Sequence, residues 1–77
     1  KPVLVTKNMQ LLDLRTVGNN KHLKGKADGL DFIGFGMGSL MDFLISGQLV
    51  DLAYSLEIDK YNGFEKLQLK LKDLKIT

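Results

Sequence analysis

Apolar residues recur at every second position through the second half of the chain. Val50, Leu52, Tyr54, Leu56 and Ile58 alternate with Asp51, Ala53, Ser55 and Glu57, which is the period of a half-buried strand. Tyr54 lies inside that alternation and is expected in the core. Leu67, Leu69 and Leu71 alternate with Gln68, Lys70 and Lys72 in a second strand. Parity then breaks, since the next apolar residues are Leu74 and Ile76, and one extra residue near Lys72 and Asp73 predicts a β-bulge. Asn62-Gly63 stands between the two strands; both residues accept positive φ, so the pair predicts a hairpin with a loop centred on residues 59–64.

Upstream, residues 11–17 read as a strand that could begin as early as Val3. Gly18-Asn19-Asn20 turns it into a strand over 21–27, and Asp28-Gly29 turns that into a third over 30–36. One segment departs from period two. Ser39 followed by Asp42 resembles a capping box, Leu40, Met41 and Leu44 (with Ile45 as a further candidate) form an apolar face, and Gly47 suits a C-terminal stop. These signals predict a helix over 39–46. The order β-β-β-α-β-β describes a mainly β, five-stranded Greek-key barrel with a short helix between the third and fourth strands, an OB-fold. An SH3-like barrel is the main rival, and it has no evident place for the helix. Closure also removes the two edges that an open sheet of this size would expose.

With 77 residues, 44% hydrophobic and 26% charged, the chain is expected to form one globular domain. It contains no cysteine, which excludes disulfides and thiolate zinc sites and suits a cytoplasmic protein. No apolar run approaches the roughly 20 residues of a membrane span, so no membrane partner is expected. The chain opens on Lys1 and closes on an apolar strand-like run, which reads as a piece of a longer protein. Net charge is only +2, but it is unevenly placed. Six of the basic residues fall in 1–26 against Asp13 alone, 27–59 holds six acids and no lysine or arginine, and 60–77 returns five lysines. One basic and one acidic side are expected, although solvated lysines guarding strand edges would give the same pattern.

The candidate chemistry is binding, not catalysis. Gly34-Phe35-Gly36-Met37-Gly38 is neither G-x-G-x-x-G nor a P-loop, and its glycines read as a bend before the helix. His22 has no cysteine or carboxylate at ligand spacing and no nucleophile around it. In the second strand His22, Lys24 and Lys26 share one face, about 7 Å apart, while Leu23, Gly25 and Ala27 share the other. Three cations in a stripe match phosphates along a strand. In the third strand Ile33 and Phe35 read as the core pair. That leaves Phe32 either as a base contact beside a glycine or as a core ring itself. Tyr61 is a candidate stacking ring near the turn, with Lys60 and Lys66 beside it, and Phe64 is expected to pack on the barrel rim.

These pieces in order resemble a known family. Leu14-Arg15-Thr16-Val17-Gly18, Lys21-His22-Leu23-Lys24, Asp31-Phe32-Ile33-Gly34-Phe35, the run 50–58, Asn62-Gly63 and the run 67–73 together are similar to the OB domain of the RecJ single-strand-specific exonucleases. The resemblance implies an accessory single-stranded-DNA-binding module beside the catalytic domains of the same chain. It also implies that the parent hydrolyses DNA from the 5′ end with Mg²⁺ or Mn²⁺. The family pattern has leucines where Gly25 and Ala27 stand and a small residue at Phe32, departures that touch the binding sheet, and it has asparagine at Asp59. Phe32 would then fill space lost from the second strand. The nucleic-acid-binding set expected is His22, Lys24, Lys26, Phe32, Lys60, Tyr61 and Lys66, with no catalytic or metal-binding residue. The alternative is a module that docks on the catalytic core or a repair partner through its acidic side.

Overall fold

The computed structural model describes residues 2–77, the side chain of Tyr61 excepted. Five strands, β1 (Leu4–Val17), β2 (His22–Ala27), β3 (Leu30–Gly34), β4 (Leu49–Tyr61) and β5 (Phe64–Ile76), close into a barrel in the order β1-β2-β3-β5-β4. All neighbours are antiparallel except β3 and β5, which run parallel from Asp31↔Gln68 to Ile33↔Lys70. This is the OB-fold architecture expected from the element order.

The turns follow from residues that tolerate positive φ. Asp28 and Gly29 (53° and 75°) and Asn62 and Gly63 (47° and 78°) each make a two-residue hairpin connection, the geometry whose twist matches the flanking strands. The second hairpin is tighter than the six-residue loop expected, because β4 continues to Tyr61 and pairs it directly with Phe64. The bulge in β5 lies where parity breaks: Tyr54 pairs with Leu71 but Ala53 pairs with Asp73, which leaves Lys72 as the extra residue.

β1 is longer than its pattern suggests. It pairs with β4 in its first half and with β2 in its second, and register shifts separate Thr6 from Met9 and Leu12 from Arg15. Asn8 and Asp13 take positive φ at these two breaks. Each bulge moves the inward parity by one residue. Met9 and Leu11 are therefore buried and Leu14 packs against the core, a series with no single period in the sequence.

The helix differs from expectation. A 3₁₀ helix runs over Gly38–Phe43, with Met37 as its N-cap residue and no side-chain capping bond, so Ser39 caps nothing. Its start is set by backbone: the Gly38 N–H donates to the Lys21 carbonyl at 3.0 Å, and a Cβ on Gly38 would run into the Asn20 carbonyl. Its Leu40 N–H bonds back three residues to the Met37 carbonyl, the 3₁₀ pattern, and so short a segment does not sustain an α-helix on its own. The apolar face survives the change. Leu44 is buried, Leu40 and Met41 pack against the core, and Ile45 points outward.

The core collects Met9, Leu11, Leu23, Ala27, Phe32, Leu44, Val50, Leu52, Tyr54, Leu69 and Leu71. Tyr54 is there as its alternation requires, and its hydroxyl shares a hydrogen bond with Thr6 Oγ1 at 2.8 Å. β3 overturns the expected core pair. Phe32 is fully buried, while Ile33 is half-covered and Phe35 stands outside. The reason is local. Gly25 and Phe32 are direct partners across β2 and β3, and a Cβ on Gly25 would lie 2.7 Å from the Phe32 ring, so the ring takes the space that glycine leaves.

Candidate nucleic-acid interface

Cross-strand pairing determines which side chains share the outer face of β2, β3 and β5. Leu23, Gly25 and Ala27 point into the barrel, so His22, Lys24 and Lys26 point out. Their partners Asp31 and Ile33 point the same way, and so do Gln68 and Lys70 across the parallel junction. Further along the β4–β5 hairpin the same parity carries Asp59 and Lys66, which pair with each other, and then Phe64. Phe32, on the opposite parity, has no exposed surface to offer a base, so its place in the candidate set is withdrawn.

Two aromatic rings that sequence reasoning assigned to packing are on this face. Phe35 is 56% exposed and Phe64 74% exposed. Phe35 is held from two sides: His22 meets it edge to face at 5.3 Å between centroids, and Lys70 Nζ lies 5.7 Å from its ring centre. His22 is fixed in turn, its Nδ1 accepting the Gly36 N–H at 3.0 Å. His22 therefore props a ring. Phe64 does not pack on the rim; it borders a small recess with Asp59, Glu65 and Lys66. Tyr61, the other ring expected here, has its side chain outside the described residues.

The lysines do not form a simple basic stripe. β3 and β4 bring acids from the middle of the sequence between them. Lys66 Nζ donates to Asp31 Oδ2 at 2.8 Å, and Lys26 Nζ lies 4.0 Å from Asp31 Oδ1. Lys70 approaches Glu57 at 3.8 Å. Lys60 approaches Glu65 at 3.9 Å, and the pleat puts that pair on the opposite side of the ribbon from Asp59 and Lys66. Lys60 is thus not brought together with the stripe. Lys24 makes no ion pair among the described residues. It borders a shallow depression of about 240 Å³ with Asp31, Asp59, Lys66, Leu67 and Gln68. The Lys66 hydrogen bond, with the charges of Lys66, Lys26 and Lys24, holds the Asp31 carboxyl below the ordinary aspartate value against the opposing effect of burial. Lys66 is raised by the same hydrogen bond. Asp31 is therefore ionised throughout the neutral range. The expected division into a basic and an acidic side gives way to a mixed face.

Among the described residues no three of His, Asp or Glu gather as metal ligands, and no helix is long and apolar enough to cross a membrane.

The family model of the RecJ OB domain matches residues 1–73. No curated protein matches the chain. Among solved structures it is similar to RecJ from Thermus thermophilus in complex with Mg²⁺, with a TM-score of 0.76 and 20% identity over 99% of this chain. The chain spans only 12% of that RecJ. It is also similar to the mitochondrial single-stranded DNA binding protein Rim1 of S. cerevisiae (TM-score 0.66, 16% identity, 97% of this chain and 94% of that one). An SSB domain from Synechococcus matches with TM-score 0.65 and 16% identity, again over 97% and 94%. At these identities the structural likenesses establish the fold.

Proposed function

This chain belongs to the RecJ OB-domain family, and from that premise we propose that it is a single-stranded-DNA-binding module working beside the catalytic domains of a longer RecJ-type exonuclease. The observation that carries the reading is the pair of solvent-facing rings, Phe35 and Phe64, on the same barrel face as Lys24, Lys26 and Lys66. Stacking on rings is indifferent to sequence, because every base has a π-face, and lysines meet the phosphates between. Rim1 and the Synechococcus domain, whose names state single-stranded DNA binding or SSB, support the reading through shared architecture. Hydrolysis, with the Mg²⁺ or Mn²⁺ it needs, belongs to other parts of the parent in this proposal.

Titration with a labelled oligothymidylate tests it. Phe35→Ala and Phe64→Ala should each weaken binding roughly 5- to 150-fold, the equivalent of about 1–3 kcal/mol of stacking per base. Both rings are largely exposed, so the melting temperature should hardly change. Lys24→Ala should lower affinity for all sequences alike and flatten the salt slope by about 0.7. Unchanged affinity in both ring variants would remove this face from the site.

A docking module is the second reading, and one observation favours it. On the inner side of the β4–β5 ribbon Leu56, Ile58 and Leu67 are exposed, and apolar surface of this kind suits a protein partner. Absence of any oligonucleotide binding by the intact chain would favour this reading over the first.

A further inference from the structure

We propose that Asp31 is a built-in competitor for phosphate, an internal anion that a nucleic-acid strand must displace to engage Lys26 and Lys66. The inference rests on the single-strand reading of this face and adds the residue that sets its strength.

The geometry makes Asp31 the hub of the cluster. β2 presents Lys26 directly opposite it, and the parallel β3–β5 junction places Gln68 on its other side. Its two carboxylate oxygens address different lysines, Oδ2 to Lys66 at 2.8 Å and Oδ1 to Lys26 at 4.0 Å. The Asp31 side chain is 26% exposed and that of Lys66 68% exposed. The carboxylate is thus the largely covered member, and the long lysine reaches over to it. A carboxylate and a phosphate are alternative acceptors for the same ammonium donors. While Asp31 holds both lysines, its single negative charge offsets one of their two positive charges before any strand arrives, and fewer condensed cations are released when one does.

Two consequences follow for binding. Intact chain should have a salt slope shallower than its count of lysines on this face implies. Asp31→Asn keeps the side chain's shape and removes its charge, which returns both lysines to the strand. One net positive charge is thereby added to the face, so the slope should steepen by about 0.7, at roughly 0.7 per phosphate on single strands. Affinity for oligothymidylate should rise about fourfold at 50 mM salt, and most of the gain, about 2.6-fold by the same slope, should vanish at 200 mM.

The experiment is a fluorescence-anisotropy titration of the 77-residue chain, Asp31→Asn and Asp42→Asn with oligothymidylate and oligodeoxycytidylate at those salts. Asp42 is exposed on the 3₁₀ helix, so its variant matches the change in net charge away from this face. Tighter binding and a steeper slope in Asp31→Asn alone is the result expected. An equal gain in Asp42→Asn would overturn the proposal in favour of overall charge. Weaker binding of oligodeoxycytidylate alone would overturn it in favour of a direct carboxylate–amino contact to the base. If the intact chain binds and Asp31→Asn binds no tighter, the competitor is refuted while the single-strand reading stands. If neither binds, it is the single-strand reading that fails.

Discussion

Phe32→Ala should cost the chain about 3–5 kcal/mol of folding free energy, the range for deleting a fully buried ring. In a small domain that is a large part of the total. Gly25 makes the expectation sharper. Any side chain there meets the ring's Cε2 and Cζ at 2.7 Å and the Leu12 carbonyl at 2.8 Å, so Gly25→Leu alone should cost about 1–3 kcal/mol or more through overpacking. Placed together with Phe32→Ala, the new leucine enters the vacated volume and the ring clash disappears. The Leu12 carbonyl remains, so recovery should be partial. Urea denaturation of the parent, both single variants and the double variant gives the coupling, expected at about 0.5–3 kcal/mol in the favourable sense. Strict additivity would mean that the two positions do not share one volume, contrary to the packing described.

Tyr54→Ala should be comparably damaging, again about 3–5 kcal/mol. The ring is in the core cluster and joins two strands, since its hydroxyl shares the 2.8 Å hydrogen bond with Thr6 in the first half of β1. Tyr54→Phe separates these contributions. It keeps the packing and removes the hydroxyl, and should cost about 0.5–1.5 kcal/mol. For a domain of this size that is a fall in melting temperature on the order of 4–8 °C per kcal/mol. Thermal melts followed by circular dichroism check both. A phenylalanine variant as damaged as the alanine variant would show that the hydroxyl, and not the ring's bulk, secures the position.

Most of the barrel is legible in the chain because its turns carry their own chemistry. Asp28-Gly29 and Asn62-Gly63 announce hairpins, and Leu67-Leu69-Leu71 followed by Leu74 announces the bulge in β5. β1 is less legible because Asn8 and Asp13, ordinary polar residues by type, carry left-handed φ at two bulges and reset the inward parity twice. The helix signals at Ser39 and Asp42 are overridden by tertiary anchoring at Gly38, whose N–H is committed to the β1–β2 loop.

The candidate site is half visible in the sequence. The alternation of Leu23, Gly25 and Ala27 correctly puts Lys24 and Lys26 outside. The misplacement of Phe32 and Phe35 has a remedy in the same residues. A two-residue turn at Asp28-Gly29 makes 27 oppose 30 and therefore 25 oppose 32, so an inward Gly25 requires an inward Phe32 and an outward Phe35. Phe64 offers no such clue, since its exposure follows from how far the ribbon extends. The pairing of Asp31 with Lys66 joins residues 35 apart in sequence and depends on the parallel junction of β3 with β5, which no local pattern encodes.

That ribbon has a consequence for backbone protection. β1 begins at Leu4, opposite Tyr54, and β3 pairs with β5 only as far back as Gln68. Between those limits β4 and β5 have only each other, so an amide there is sheltered by one neighbouring strand where the barrel provides two. Free energies of local opening should fall steadily from Leu69 towards the Asn62-Gly63 tip, and amide hydrogen exchange should quicken in the same direction. Of the two outward rings, Phe35 stands in the turn directly after β3, beside the doubly paired wall, and Phe64 on the quickly exchanging arm. A strand lying across both would bridge a rigid support and a compliant one, and the protection gained on binding would be concentrated at the ribbon.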